Sequence, residues 1–194
     1  MRSRRFAFGL AVIAALLGLA GCYPVPSIHP FYTEREVGFD ENLLGLWATE
    51  DGKQILRFED AGENVYKVAY LAEDKWSKYA VRLVRLGGES YLDVMPDKDA
   101  YQAAIEPQAF LPLVNTHTLY RLELDRNRLR ISYLDDEWMK TKLESGEIPL
   151  PYAENEDLLV LTGTTAELQS LVMMHAGEEK AFKLLGEFRR QAPR

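Results

Sequence analysis

Three polar residues on one predicted strand are the strongest candidates for chemistry in this sequence. His117, Arg121 and Glu123 occupy odd-numbered positions of the strand predicted at 116–124, and alternate side chains share one face of a strand. On a face that lines a cavity, an imidazole, a guanidinium and a carboxylate would orient the polar head group of a ligand. A charge network on a solvated face, or a buried histidine bonded to a carbonyl, explains the same pattern without a ligand.

The residue patterns of nucleophilic, metal and phosphate chemistry are missing from the sequence. No serine lies in a Gly-x-Ser-x-Gly motif, and the histidines at 29, 117 and 175 lack the close spacing of zinc ligands. Carboxylate pairs such as Asp135-Asp136 fall at predicted turns and helix starts, where solvation and the helix dipole explain them. We predict no catalytic residues, no metal site and no cofactor, and a hydrolase is the least favoured function.

The elements that position these residues are predicted to form an antiparallel meander. Short runs of β-branched and aromatic residues alternate with turn signals such as Asp51-Gly52 and Gly87-Gly88. Tyr120, Leu122 and Leu124 share the face opposite the polar three, so one face of that strand is expected to be buried. The predicted strands are 47–50, 54–58, 65–71, 77–86, 90–95, 116–124, 128–134 and 157–161.

Helices are predicted after the late strands at 128–134 and 157–161. Asp135 is a predicted N-cap with Gly146 as the stop, and Thr164 and Glu167 have the spacing of a capping box. A last helix is predicted at 178–190, with one apolar stripe formed by Phe182, Leu185 and Phe188. The predicted fold class is α+β, a barrel-like antiparallel sheet with helices after the late strands and at the C-terminus.

The size and charge of the chain exclude several classes. Its 194 residues carry a net charge of −7, which argues against a nucleic-acid partner because such proteins need basic residues to displace phosphate counterions. A single cysteine excludes a disulfide scaffold. We predict one globular domain at 42–194. It follows a tether at 22–41, whose prolines Pro24, Pro26 and Pro30 favour an extended chain.

The first residues have the organisation of an export signal. Arg2, Arg4 and Arg5 form a positive end, and 6–20 is an uncharged and almost wholly apolar run. This run is shorter than the ~20 residues that a transmembrane helix needs. We predict a signal peptide at 1–21.

The end of this signal, Leu19-Ala20-Gly21-Cys22, resembles the lipobox of bacterial lipoproteins. The resemblance implies cleavage between Gly21 and Cys22 and acylation of the Cys22 thiol, which anchors the protein in a membrane. Tyr23 stands where an Asp would be the inner-membrane retention signal of enterobacteria. This implies a place in the outer membrane, facing the periplasm. An ordinary secretory signal followed by a chance cysteine is the alternative.

Gly45-Leu46-Trp47 resembles the Gly-x-Trp motif that opens the first strand of lipocalins. In that family the Trp plugs one end of the barrel and often packs against an Arg from a late strand. The resemblance implies this role for Trp47, with Arg121 or Arg130 as the arginine.

A broader resemblance is to a group of uncharacterised bacterial lipoproteins. It spans most of the mature chain and implies a shared architecture and a place in the cell envelope, but no activity. The matching segments are 27–32, 44–47, 115–121, 134–138 and 165–169.

The sequence therefore favours an envelope lipoprotein, held in the membrane through Cys22, that binds a lipid or another small amphiphile without catalysis. Trp47, His117, Arg121 and Glu123 are the candidate ligand-binding residues. The alternative is an interaction or structural module whose acidic surface docks a protein of an envelope complex.

Overall fold

The computed structural model describes residues 24–97, 114–155 and 158–192. The predicted signal peptide, its cleavage position at Gly21 and the lipid-attachment residue Cys22 lie outside the described residues. Within those residues the chain is predominantly β-structure with two α-helices, which departs from the predicted α+β class. The elements are β1 (Pro26–Ser27), β2 (Val37–Gly38), β3 (Gly45–Ala48), β4 (Ile55–Asp60), β5 (Val65–Ala72), β6 (Lys75–Leu86), β7 (Glu89–Pro96), β8 (His117–Asp125), β9 (Arg128–Leu134), α1 (Asp136–Glu144), β10 (Tyr152–Glu154), β11 (Leu159–Leu161), α2 (Thr165–His175) and β12 (Phe182–Arg190).

Eight strands, β3 to β9 together with β12, form a closed antiparallel barrel. Strands β3 to β9 pair in chain order, as the alternating pattern predicts. β12 completes the ring by pairing with β9 on one side and with β3 on the other, where Arg190 lies opposite Trp47. The predicted barrel-like sheet is confirmed, and every strand of the ring has a neighbour on both sides.

The last element is a strand, so the helix predicted at 178–190 is wrong. β12 contains a β-bulge, because Leu184 and Gly186 pair with adjacent residues of β9 and Leu185 is the extra residue between them. The bulge changes the phase of the strand, and Leu185 and Phe188 both pack with the inner core. Leu185 and Phe188 are three residues apart and share one face because of the bulge. In the sequence, this spacing is the same as that of an apolar stripe on a helix.

Apolar side chains pack in two clusters, one inside the barrel and one on its outer face. The inner core is built from alternate residues of the barrel strands, with Trp47 and Phe188 among its largest fully buried members. The outer core lies between β7, β8 and the segments that cover them, and it contains Phe31, Leu119 and Met139. The outer face of β7 and β8 is therefore buried as well as the inner face.

The residues predicted as a tether are part of the folded body from Pro24 onward. Val25, Ser27 and Phe31 are buried, and β1 pairs antiparallel with β8 and parallel with β11. The prolines do favour an extended chain, but an extended chain is also what pairing along a strand requires. The interpretation as a tether is wrong for the described residues, because the segment from Pro24 onward packs on the barrel.

Capping residues fix the two helices that complete the outer layer. The Asp135 carboxylate accepts a hydrogen bond of 2.7 Å from the Trp138 amide and starts α1. Thr164 and Glu167 form a reciprocal capping box at the start of α2. Both predicted helix starts are confirmed, and buried residues of α1 and α2 pack in the outer core.

Candidate functional site

One end of the barrel is closed by a stack of Arg190 on Trp47. The Trp47 side chain is fully buried, and its indole nitrogen donates a 2.9 Å hydrogen bond to the Leu43 carbonyl. The Arg190 guanidinium lies 4.3 Å from the centre of the Trp47 ring and donates to the carbonyls of Leu44, at 2.7 Å, and Asn42. A cation over an indole face is attractive, and the carbonyl bonds fix its position.

An arginine of a late strand does pack on Trp47, as the lipocalin resemblance implies, but it is Arg190 and neither of the two arginines expected. Arg121 and Arg130 lie on the strands β8 and β9, and their side chains contact groups on the outer face of the barrel. Arg190 belongs to the segment at 178–190, where the spacing of apolar residues predicts a helix. For this reason the sequence does not indicate that Arg190 lies on a strand of the barrel.

A second aromatic pair seals the same end. Phe39 stacks on Tyr66 with ring centres 4.7 Å apart and planes 5° from parallel. The Tyr66 hydroxyl accepts a 2.6 Å hydrogen bond from the Asp40 amide and donates to the Asp40 carbonyl at 3.2 Å. The segment before β3 is thereby held across this end of the barrel, which leaves the opposite end for access.

The opposite end contains an apolar cavity of about 90 Å³. Residues of β4, β5, β6, β7, β8, β9 and β12 line it, and every one of its described lining residues is uncharged. The lining consists of Leu56, Phe58, Val68, Tyr70, Tyr79, Val81, Leu92, Val94, Tyr120, Ile131 and Leu185.

The polar groups of this lining are tyrosine hydroxyls. Burial raises the pKa of the Tyr120 hydroxyl, and the neighbouring tyrosines Tyr79, Tyr70 and Tyr133 raise it further. Burial also raises the pKa of Tyr70, whose hydroxyl donates a 3.0 Å hydrogen bond to Oε1 of Gln54. Tyr70 and Tyr120 are therefore protonated at neutral pH, and each protonated hydroxyl both donates and accepts hydrogen bonds. The cavity combines an apolar interior with a hydrogen-bonding rim, and we refer to Tyr70, Tyr79 and Tyr120 as the tyrosine rim.

His117, the first residue of the predicted cluster, lies on the outer face of the barrel. Its Nδ1 atom is 2.6 Å from Oδ1 of Asp93, and both side chains are buried. The other Asp93 oxygen accepts a 3.1 Å hydrogen bond from the Phe31 amide, and the Tyr32 ring meets the imidazole edge-on. These contacts hold the N-terminal segment on β7 and β8. The His117 side chain therefore does not face the cavity inside the barrel.

Arg121 and Glu123 share the outer face but have separate surroundings. The Arg121 guanidinium lies 4.0 Å from the centre of the Phe182 ring and donates to the Ala176 carbonyl, at the end of α2. Glu123 is exposed and lies 3.4 Å from Arg130. The polar residues on the outer face of β8 thus make structural contacts, whereas Trp47 lies inside the barrel. The four candidate ligand-binding residues do not form one site.

The tyrosine rim is not among the residues predicted from the sequence, although the pattern that identifies it is present. Each of these tyrosines lies on the inward face of its strand, two residues from an apolar side chain on the same face: Val68 for Tyr70 and Val81 for Tyr79. Three strands that each place a tyrosine on the buried face indicate hydroxyls inside an apolar barrel.

Comparisons of the chain with protein-family models, curated proteins and solved structures give no match. Among the residues that the structure describes, no group of three or more His, Cys, Asp or Glu side chains is placed to hold a metal ion. In the described ranges, neither helix has the length and apolar character needed to cross a lipid bilayer. The function is therefore inferred from the cavity, the covered faces and the sequence motifs.

Proposed function

We propose that the protein is a cell-envelope lipoprotein whose barrel binds a lipid or another small amphiphile without catalysis. The observation that carries this proposal is the apolar cavity with its tyrosine rim. The barrel is blocked at the Trp47 end, so a ligand enters from the rim with its apolar part first. A few hydrogen-bonding groups at the mouth of an apolar pocket are typical of sites that orient amphiphiles.

The cavity volume limits how much of a ligand is enclosed. Sites that surround drug-sized molecules have ~300–1,000 Å³, and an apolar cavity of ~150 Å³ takes a benzene molecule. The volume of about 90 Å³ in this barrel is smaller than either. We therefore expect the cavity to enclose the end of one acyl or alkyl chain, while the rest of that chain and the polar head group lie against the tyrosine rim.

The lipocalin resemblance supports this proposal. The Gly45-Leu46-Trp47 motif begins strand β3, and Arg190 stacks on Trp47 as the resemblance implies for a late-strand arginine. A closed eight-stranded antiparallel barrel is compatible with a lipocalin-like fold. Barrels of this strand number have an interior wide enough for side chains or for one small ligand.

The lipobox supports a membrane anchor at Cys22 and a position in the outer membrane, facing the periplasm. If Cys22 is acylated, the body lies close to the lipid surface, because Val25 is already buried and the three residues from Cys22 to Val25 span at most ~11 Å. Cys22→Ser is expected to leave the precursor uncleaved and unlipidated. Release of a soluble, cleaved protein from this variant would contradict the anchor.

Native mass spectrometry of the lipoprotein, purified in mild detergent from its envelope fraction, tests the binding function. We expect an added mass that disappears on denaturation. Leu185→Trp fills the cavity and should abolish the added mass, whereas Leu184→Trp changes an exposed neighbour on the outer face and should retain it. A bare protein in both variants and in the wild type would overturn the proposal.

A second function, as an interaction module of an envelope complex, is supported by two adjacent methionines. Met173 and Met174 lie near the end of α2 and are 48% and 70% exposed. Flexible thioether side chains are common at protein-binding surfaces. Crosslinking in intact cells tests this function, and we propose Met174→Glu as the variant that would remove a crosslinked partner.

A further inference from the structure

The charge of the cavity lining restricts which amphiphiles the barrel accepts. Every described lining residue is uncharged. Charged residues of the same strands point outward: Lys67 lies 3.8 Å from Asp97, and Arg130 lies near Glu123 and Glu187. The described lining therefore offers no counterion to a charged head group.

We infer that the barrel selects amphiphiles with an uncharged, hydrogen-bonding head group, such as an alcohol or an ester, over those with a carboxylate or an ammonium group. This inference rests on the proposed binding function and adds the chemical class of the ligand. A charged group that leaves water without a partner loses more free energy than a neutral polar group does.

The tyrosine rim matches a neutral head group in its hydrogen bonding. The hydroxyls of Tyr79 and Tyr120 both donate and accept, as a ligand hydroxyl or ester carbonyl requires. The Tyr70 hydroxyl already donates to Gln54 and retains acceptor capacity.

The surroundings of the rim also disfavour an anion. Burial and the neighbouring tyrosines raise the pKa of Tyr120 and keep it protonated, and Glu73 acts on the pKa of Tyr70 in the same direction. Glu73 belongs to the turn between β5 and β6, at the rim end of the barrel. A carboxylate head group would therefore meet a like charge here. Glu73 is not among the described lining residues, so an ammonium group that enters the cavity lacks a partner there.

Three probes with the same eight-carbon chain separate these possibilities: 1-octanol, octanoate and octylammonium. The mature lipoprotein is placed in phosphatidylcholine nanodiscs at neutral pH, and binding is followed by NMR through the methyl groups of Val94, Ile131 and Leu185, with Leu184 as an outward control. We expect 1-octanol to shift the inner methyl signals and each ion to bind at least tenfold more weakly.

Two substitutions test whether the rim recognises the head group. Tyr120→Phe and Tyr79→Phe each remove a hydroxyl and keep the ring, so each should weaken 1-octanol binding about 2- to 10-fold. Tyr152→Phe, on an exposed strand, is the matched control. Retained methyl spectra would show that the variants fold.

The outcomes separate this inference from the function on which it rests. Octanoate or octylammonium binding as tightly as 1-octanol would overturn the selectivity and leave the binding function standing. Unchanged 1-octanol affinity in both tyrosine variants would overturn the role of the rim. Failure of all three probes to shift the inner methyl signals would contradict the binding function itself.

Discussion

Asp93 and His117 form a buried pair on the outer face of the barrel, with Oδ1 of Asp93 2.6 Å from Nδ1 of His117. The pair joins β7 to β8, and the second Asp93 oxygen holds the Phe31 amide of the N-terminal segment. One carboxylate thus connects the barrel to the segment that follows the predicted lipid-attachment residue, Cys22.

Asp93→Asn is expected to destabilise the protein by about 2–3 kcal/mol, because buried hydrogen-bonded groups lose their charged partner. Urea unfolding measures this change, and amide exchange at Phe31 should become faster. Glu123→Gln breaks an exposed ion pair with Arg130 and should cost at most about 1 kcal/mol. Equal effects of the two substitutions would contradict the structural role of Asp93.

Arg190→Met should lower the free energy of unfolding by about 2–3 kcal/mol, since it removes the stacking on Trp47 and the bonds to two carbonyls. The neighbouring Arg189 is exposed, so Arg189→Met is the control and should change stability by less than about 0.5 kcal/mol. Tryptophan fluorescence, followed through urea unfolding, checks both variants. A stable Arg190→Met protein would show that the barrel end closes without the arginine.

Gly186→Ala is expected to cost about 1–3 kcal/mol, because a Cβ atom at this position would lie 3.0 and 3.1 Å from two atoms of the Phe188 ring. A Cβ atom at Gly177 would meet no heavy atom within 4 Å apart from its chain neighbours, so Gly177→Ala should be tolerated. Thermal unfolding compares the two variants. If Gly186→Ala were as stable as wild type, the ring of Phe188 would have to move easily within the core.

The raised pKa of Tyr120 predicts a loss of stability in alkaline solution. The unfolded tyrosine ionises near pH ~10, whereas the folded hydroxyl holds its proton to higher pH. The stabilisation is therefore complete below about pH 10 and is lost as the pH rises above it. Tyr120→Phe should reduce the difference in unfolding free energy between about pH 9 and about pH 11, and Tyr152→Phe should not. A wild-type slope in Tyr120→Phe would contradict this prediction.

The meander could be predicted from the sequence because most of its strands have one buried face and one solvent-exposed face. In β5, Val68 is buried inside the barrel while Lys67 is exposed outside, and this contrast gives the two-residue period. The helix starts are equally readable, since Asp135 and Thr164 cap through side-chain bonds to nearby backbone amides.

Other features depend on contacts between distant parts of the chain. The bulge at Leu185 changes the phase of β12, and only pairing with β9 distinguishes that change from a helical stripe. Likewise, His117 and Arg121 have the polarity of a solvated or ligand-binding face. The N-terminal segment and the end of α2 cover them in the structure, and the spacing of residues along β8 does not contain that information.

Closure of the ring by β12 determines when the fold can be completed. The bond from Arg190 to the Leu44 carbonyl joins positions 146 residues apart, and contacts this distant form slowly because a long loop must be closed first. During synthesis, β3 and β9 would each present an open edge until β12 emerges from the ribosome. A chain cut before β12 would expose both edges and the apolar lining together, and would be prone to aggregation.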